Sequence, residues 1–194
     1  MTAYQVESMK KKEEIMSILE NKILNSVKFV SGKSRNNDGV KSLIKKHGLY
    51  HDAQGVELTK AFFDEVVKDI IDAGGGNDLA AGKYFVVAPY GQVNRIDNFN
   101  KETIRTSQDE RVTGTKITKI VTTGGTLGVF HANSLNGDEL GILNLEELKI
   151  RELYPLKEEM GAKTKLADNY FIHGELTVEL GKVPCQMWVK NLKR

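Results

Sequence analysis

The chain contains a single cysteine, has almost no excess of charge of either sign, and has no run of about 18 apolar residues. Each shortage excludes something. The lone Cys185 rules out a disulfide within the chain and any metal cage made only of its own cysteines. Without a long apolar run, no helix can cross the hydrocarbon core of a bilayer. The N-terminal stretch MTAYQVESMKKKEE lacks the apolar segment of a secretory signal. Its 28 Lys and Arg against 26 Asp and Glu leave a net charge of +2, too small to argue for a nucleic-acid partner. A soluble protein that folds inside the cell, with no membrane partner, is the expectation. At 194 residues the chain is one domain or one subdivided core, and about 70% of its unfolded surface can be buried.

Glycine is not scarce, and the stretch IIDAGGGNDLAAGKYFVV (Ile70 to Val87) has the look of a phosphate loop. The spacing fails. A P-loop reads G-x-x-x-x-G-K-[ST], yet Asn77 stands where its first glycine belongs and Tyr84 where the hydroxyl is needed. The order of elements is also reversed. Helix, glycines, strand would aim helix C-terminal carbonyls at the anion, which is the wrong sign. The glycines instead read as a helix stop, with Gly74, Gly75 or Gly76 in the left-handed conformation.

The coarse element order is that of an α+β chain. Thr2 and Gln5 resemble a capping box that opens a long helix from about Ala3 to Ser26. Met9, Met16, Leu19, Ile23 and Val27 recur on it as one apolar stripe, and KKKEE reads as its solvated side. Residues 30–56 are loop-rich around a short VKSLIKKHGL segment. Thr59 is a good N-cap for a second strong helix, with Leu58 placed to staple onto Phe63 and a stripe of Phe62, Val66, Ile70 and Ala73. KYFVVAP reads as a short buried strand and YGQVNRIDNF as a short helix begun near Pro89. The polar NKETIRTSQDERVTGT reads as a mobile loop. From Lys116 the period is that of strands, with a hairpin at Gly124-Gly125. LGILN and LKIRELYPL follow. Two final strands, NYFIHGELTVEL and CQMWVKNL, come after the polar KEEMGAKTK.

Sites of chemistry are hard to find. His47 and His51 are four apart, but Gly48 lies between them and no H-E-x-x-H pattern appears. His131 and His173 fall in strands with no visible partner. There is no G-x-S-x-G elbow, and Cys185 reads as a small buried thiol in a strand. Glu146-Glu147 and Glu158-Glu159 are adjacent and so point to different faces of any regular element. Tyr170, Phe171 and Trp188 suggest stacking on single-stranded nucleic acid less than they suggest core or cross-strand residues. No catalytic residue, cofactor or metal is expected.

Three stretches carry a family resemblance. AYQVESMKKKEEIMSILENKILNS, opening with Ala3-Tyr4-Gln5, resembles the spine-helix segment of tailed-phage major capsid (head) proteins of the Hong Kong 97-type fold, in the SU10-like group. LTKAFFDEVVKDIIDAGG with KYFVVAP resembles that group's axial-domain helix and strand. TLGVFHANSLNGDELGILNLEELKIREL with NYFIHGELTVELGKVPCQMWVKN resembles its C-terminal half, ending in a closing β-pair. The match runs in order along nearly the whole chain.

The resemblance implies a division into a spine helix (1–35), an axial domain (36–149) and closing strands returning to a peripheral domain (150–194). It implies a structural subunit, not an enzyme, that self-associates into capsomers of an icosahedral shell around DNA. Such a protein is made in the bacterial cytoplasm and resides in the virion, touching packaged DNA without sequence preference. An encapsulin-type compartment shell is the alternative, with a small enzyme of dispersed site behind it. The family's N-terminal arm and extended hairpin have no counterpart ahead of the first helix. Other head proteins or a separate segment are therefore expected to supply them, and shell closure by this chain alone is expected to be poor. The polar turn Asn133, Ser134, Leu135, Asn136, Gly137, Asp138, Glu139 is the expected contact at the capsomer axis.

Overall fold

The computed structural model describes residues 3–32, 34–103, 118–161 and 170–194. The first element is helix α1 (Ala3–Asn25), about 34 Å long at 1.5 Å per residue. A small antiparallel hairpin, β1 (Phe29–Ser31) and β2 (Ser34–Asn36), fills part of the expected loop. Helix α2 (Val40–His47) buries Val40 and Ile44 one turn apart and ends on Lys45, Lys46 and His47, which suit the negative end of its dipole. Its start packs tightly on the end of α1. A Cβ on Gly39 would stand 2.7 Å from the carbonyl oxygen of Ile23.

Strand β3 (Leu49–Asp52) lies where the sequence reads as loop. Helix α3 (Lys60–Ile70) begins as expected: the Thr59 side chain accepts a hydrogen bond from the Phe62 amide at 3.3 Å. Phe63, Val66, Val67 and Ile70 form its buried face, and Leu58 joins the same cluster. The glycines end this helix through a wide turn, Ile71–Gly75, in which Gly74 takes φ 96°. A short helix, α4 (Gly76–Ala80), follows before β4 (Tyr84–Ala88). Helix α5 (Tyr90–Thr103) runs past its expected end into NKET; the rest of that polar stretch lies outside the described residues.

Strands β5 (Thr118–Thr122) and β6 (Gly125–His131) form the expected hairpin. Strand β7 (Leu140–Asn144) is buried at every position. A 3-10 turn, Leu145–Glu147, leads into β8 (Leu148–Met160), which pairs with β9 (Tyr170–Leu180). A second 3-10 turn, Val183–Cys185, precedes β10 (Met187–Lys190). KEEM, read from the sequence only as polar, is strand.

Six strands make one mixed sheet in the order β3-β10-β7-β4-β6-β5. β3 runs parallel to β10 and β4 parallel to β6; the other neighbours are antiparallel. The two last strands do not close on each other as expected. β9 pairs with β8 in a separate two-stranded ribbon, and β10 inserts between β3 and β7. One sheet face packs Tyr84, Val86, Leu127, Ile142 and Val189 against α3 and α5. The other packs Val87, Leu143 and Trp188 against α2, Leu24 and Leu135. A strand covered on both faces needs a continuous apolar run, which LGIL supplies. Among the described residues no helix is long and apolar enough to cross a membrane.

Candidate assembly surface

Helix α1 is sparsely covered. Leu24 is its one buried hydrophobic among the described residues. Its apolar stripe splits in two. Ile15, Leu19 and Ile23 are half-buried, and Leu19 and Ile23 line a groove shared with the ribbon, whereas Met16 is 64% exposed and Met9 is 53% exposed. Val6, Met9 and Met16, spaced three and seven apart, form a second, exposed apolar row. Val27 is also exposed, contrary to a single inward stripe.

The ribbon is equally bare. Ile150, Leu153, Tyr154, Tyr170 and Phe171 are exposed, so the last two aromatics pair across strands without entering a core. Register shifts at Glu152/Tyr154 and Tyr154/Lys157 bend β8 around Pro155, opposite Gly174. Between α1, the β1–β2 hairpin and the ribbon lies an open groove of about 220 Å³. Leu19, Ile23, Ile150, Leu156, Leu176 and Val178 give it apolar walls, and Arg35, bound to Glu175 at 2.9 Å, sits on its rim. Lys12 reaches Glu158 on the ribbon at 3.3 Å. Asp38, also at the rim, binds Lys46 at 2.6 Å, Ser42 at 2.5 Å and the Lys28 amide at 3.0 Å. The Lys46 bond above all holds its carboxyl well below the usual carboxylate range.

The turn from Asn133 to Glu139 is anchored more than it projects. Asn25 Nδ2 donates to Ser134 O at 2.7 Å, and Gln92 Nε2 donates to Gly137 O at 2.8 Å. The Leu192 amide donates to Asp138 O at 2.9 Å. Leu135 is buried in the second core cluster, and buried Glu139 pairs with Lys41 and accepts from Asn136 Nδ2. Within the turn, Asn133, Asn136 and Gly137 are exposed. Polar composition signals a turn, but it does not tell that four other segments pin it.

The residues considered for chemistry are dispersed. Lys83 points its ammonium at Glu146 (2.6 Å) and Asp78 (3.9 Å). His47 ends α2 while His51 lies in β3 against the Phe62 ring, so the two share no helix face. His131 edges onto Tyr90, and His173 lies 3.8 Å from Glu159. Cys185 is in a 3-10 turn, not a strand, and is only half-buried; its Sγ donates to Ala73 O at 3.1 Å. Among the described residues no group of three His, Cys, Asp or Glu could hold a metal ion.

The α+β fold has a two-faced sheet core and leaves apolar side chains of α1 and the ribbon exposed, a surface of the kind that marks contact with other molecules. The family model for the SU10 major capsid protein matches residues 2–193. The chain belongs to the SU10 major capsid protein family. No curated protein matches it. Among solved structures it is similar to the virus-like particle from Pyrococcus furiosus, at TM-score 0.44 and 7% identity, over 78% of this chain and 60% of that one. It is also similar to the satellite phage P4 procapsid that includes the size determination (Sid) protein. That match has TM-score 0.48 and 11% identity, over 100% of this chain and 62% of that one. The chain thus spans about three fifths of the length of these solved chains.

Proposed function

We propose that this protein is the structural subunit of a tailed-phage head, and that copies associate through α1 and the β8–β9 ribbon. The observation that carries this reading is the row of Val6, Met9 and Met16 on a 23-residue helix that buries so little of itself. A polar helix surface would need no partner; an exposed apolar one does. Stable contacts between subunits typically bury about 1,200–2,000 Å², and helix, hairpin and ribbon together offer an extended surface.

In this reading the peripheral part comprises α1, residues to about 35 and the ribbon. The axial part comprises the six-stranded sheet with its helices, and β10 belongs to it. Asn133, Asn136 and Gly137 are the contact points of the anchored turn at the capsomer axis. Other head proteins, or a segment supplying an arm and an extended hairpin, complete the contacts. Packaged DNA is touched without sequence preference, assembly occurs in the bacterial cytoplasm, and the protein performs no catalysis.

The test is negative-stain electron microscopy and light scattering of the native particle and of the expressed chain with its head partners, alongside a Met9→Glu/Met16→Glu variant. The reading expects shells or capsomers whose yield collapses in the variant while its circular dichroism is unchanged. Equal assembly by the variant would sink it.

A further inference from the structure

The ribbon joins the sheet through two short connectors: Leu145–Glu147 ahead of β8 and Gly181–Gln186 after β9. They touch each other, with the Gly181 amide donating to Glu147 O at 2.8 Å. A Cβ on Gly181 would run into the Glu147 carboxylate, so glycine there lets the carboxylate lie across the joint. The next residue, Lys182, adopts φ 42° and ψ 42°, a left-handed conformation that residues with a Cβ avoid. Its ammonium reaches Asp78 on α4 at 2.6 Å and Glu147 at 3.6 Å. Beyond Lys182 the chain is fixed to the body: Tyr84 Oη donates to Cys185 O, Cys185 Sγ donates to Ala73 O, and Gln186 accepts from the Leu49 and Asn144 amides. Before Lys182 lies the ribbon, bare over most of its length.

We propose that Asp78, Lys182 and Glu147 form an ionic clasp that fixes the angle between ribbon and sheet, and that the ribbon swings about Gly181–Lys182 when the charge on Asp78 is removed. Strain and charge oppose each other at one residue: the backbone of Lys182 favours leaving this conformation, and its side chain holds it there. The other charged groups facing the clasp are Lys83, from the start of β4, and Glu146. Lys83 is engaged mainly by Glu146, so it does not replace Lys182 at Asp78. The Lys182 hydrogen bond holds the Asp78 carboxyl below its ordinary range, and the same bond raises the Lys182 ammonium. The clasp is therefore closed at neutral pH and opens as pH falls below the ordinary carboxylate range. This inference concerns the chain itself and does not rest on the shell reading.

Spin labels at Lys157→Cys on the ribbon and Asn94→Cys on α5, in a Cys185→Ser background, report the angle as a distance distribution. Asp78→Asn and Lys182→Gly should each broaden that distribution at pH 7.5. The fluorescence of buried Trp188 should stay native in both. Asp78→Asn is the decisive variant, because it removes the charge and leaves the strained Lys182 backbone in place, whereas Lys182→Gly removes strain and charge together. A distribution as narrow as the parent's in both variants overturns the proposal. So does broadening that appears only together with loss of the native Trp188 signal.

Discussion

Trp188 occupies the space that a side chain on Gly141 would need. The two are register partners on β10 and β7, and a Cβ on Gly141 would stand 2.9 Å from the indole Cζ3. Both residues are buried, in the middle of the sheet. Gly141→Ala is expected to overpack this site and destabilise the fold by about 1–3 kcal/mol. Trp188→Ala should cost about 3–5 kcal/mol through the cavity it leaves. Denaturant titration of each variant checks both figures, and a neutral Gly141→Ala would show that the indole shifts freely.

The three glycines after α3 should respond differently. Gly74 has φ 96°, where alanine is disfavoured, so Gly74→Ala should lose about 1–2 kcal/mol. Gly76 opens α4 at φ −59°, and a Cβ there meets Ile71 Cγ2 at ordinary contact distance. Gly76→Ala should be neutral or stabilising by up to about 1 kcal/mol. Thermal melts of the pair decide it; equal losses would mean that the turn can rearrange.

Acid should weaken the fold through two aspartates whose carboxyls are held low in the folded chain. The Asp52 carboxyl is held down to about 2, chiefly by Lys190 and then by Asn191, and Asp38 is also held low, chiefly by Lys46. A depressed carboxylate stabilises fully above its unfolded value, near 3.9, and loses that contribution as pH falls through its folded value. The melting temperature is expected to fall between about pH 4 and pH 2. In an Asp38→Asn/Asp52→Asn double variant the fall should be shallower, from a lower starting point at pH 7. Parallel pH profiles would show that these ion pairs contribute nothing.

No nucleotide should bind at residues 74–83. Lys83 is engaged by Glu146, and α4 presents its C-terminal end to the Lys83 side of the loop. Calorimetry with ATP and Mg²⁺ should give no saturable heat. Micromolar binding that Lys83→Ala abolishes would overturn this expectation.

Elements whose cause lies within a few residues are legible in the sequence. Thr59 caps α3 because its hydroxyl needs only the Phe62 amide three residues away. Gly74 takes the left-handed turn because no Cβ opposes it. Gly125, at φ 149°, turns the β5–β6 hairpin for the same kind of reason. The collinear family pattern is also carried by the sequence, over residues 2–193. The partial burial of the turn 133–139 is not, because its anchors Asn25, Gln92 and Leu192 come from three distant segments. The same limit explains β3 and β10. LYHD is half-polar and looks like loop until MWVK, more than 130 residues later, pairs with it in parallel. KEEM is strand because β9 satisfies its backbone, while an uncovered ribbon lets its charges stay in water. On α1, periodicity marks two sets of apolar positions that are equally good in isolation. Which set is covered depends on where the ribbon comes to rest: it lies beside Leu19 and Ile23 and leaves Met9 and Met16 facing outward, because burial belongs to pairs of surfaces and a single helix holds only one of them.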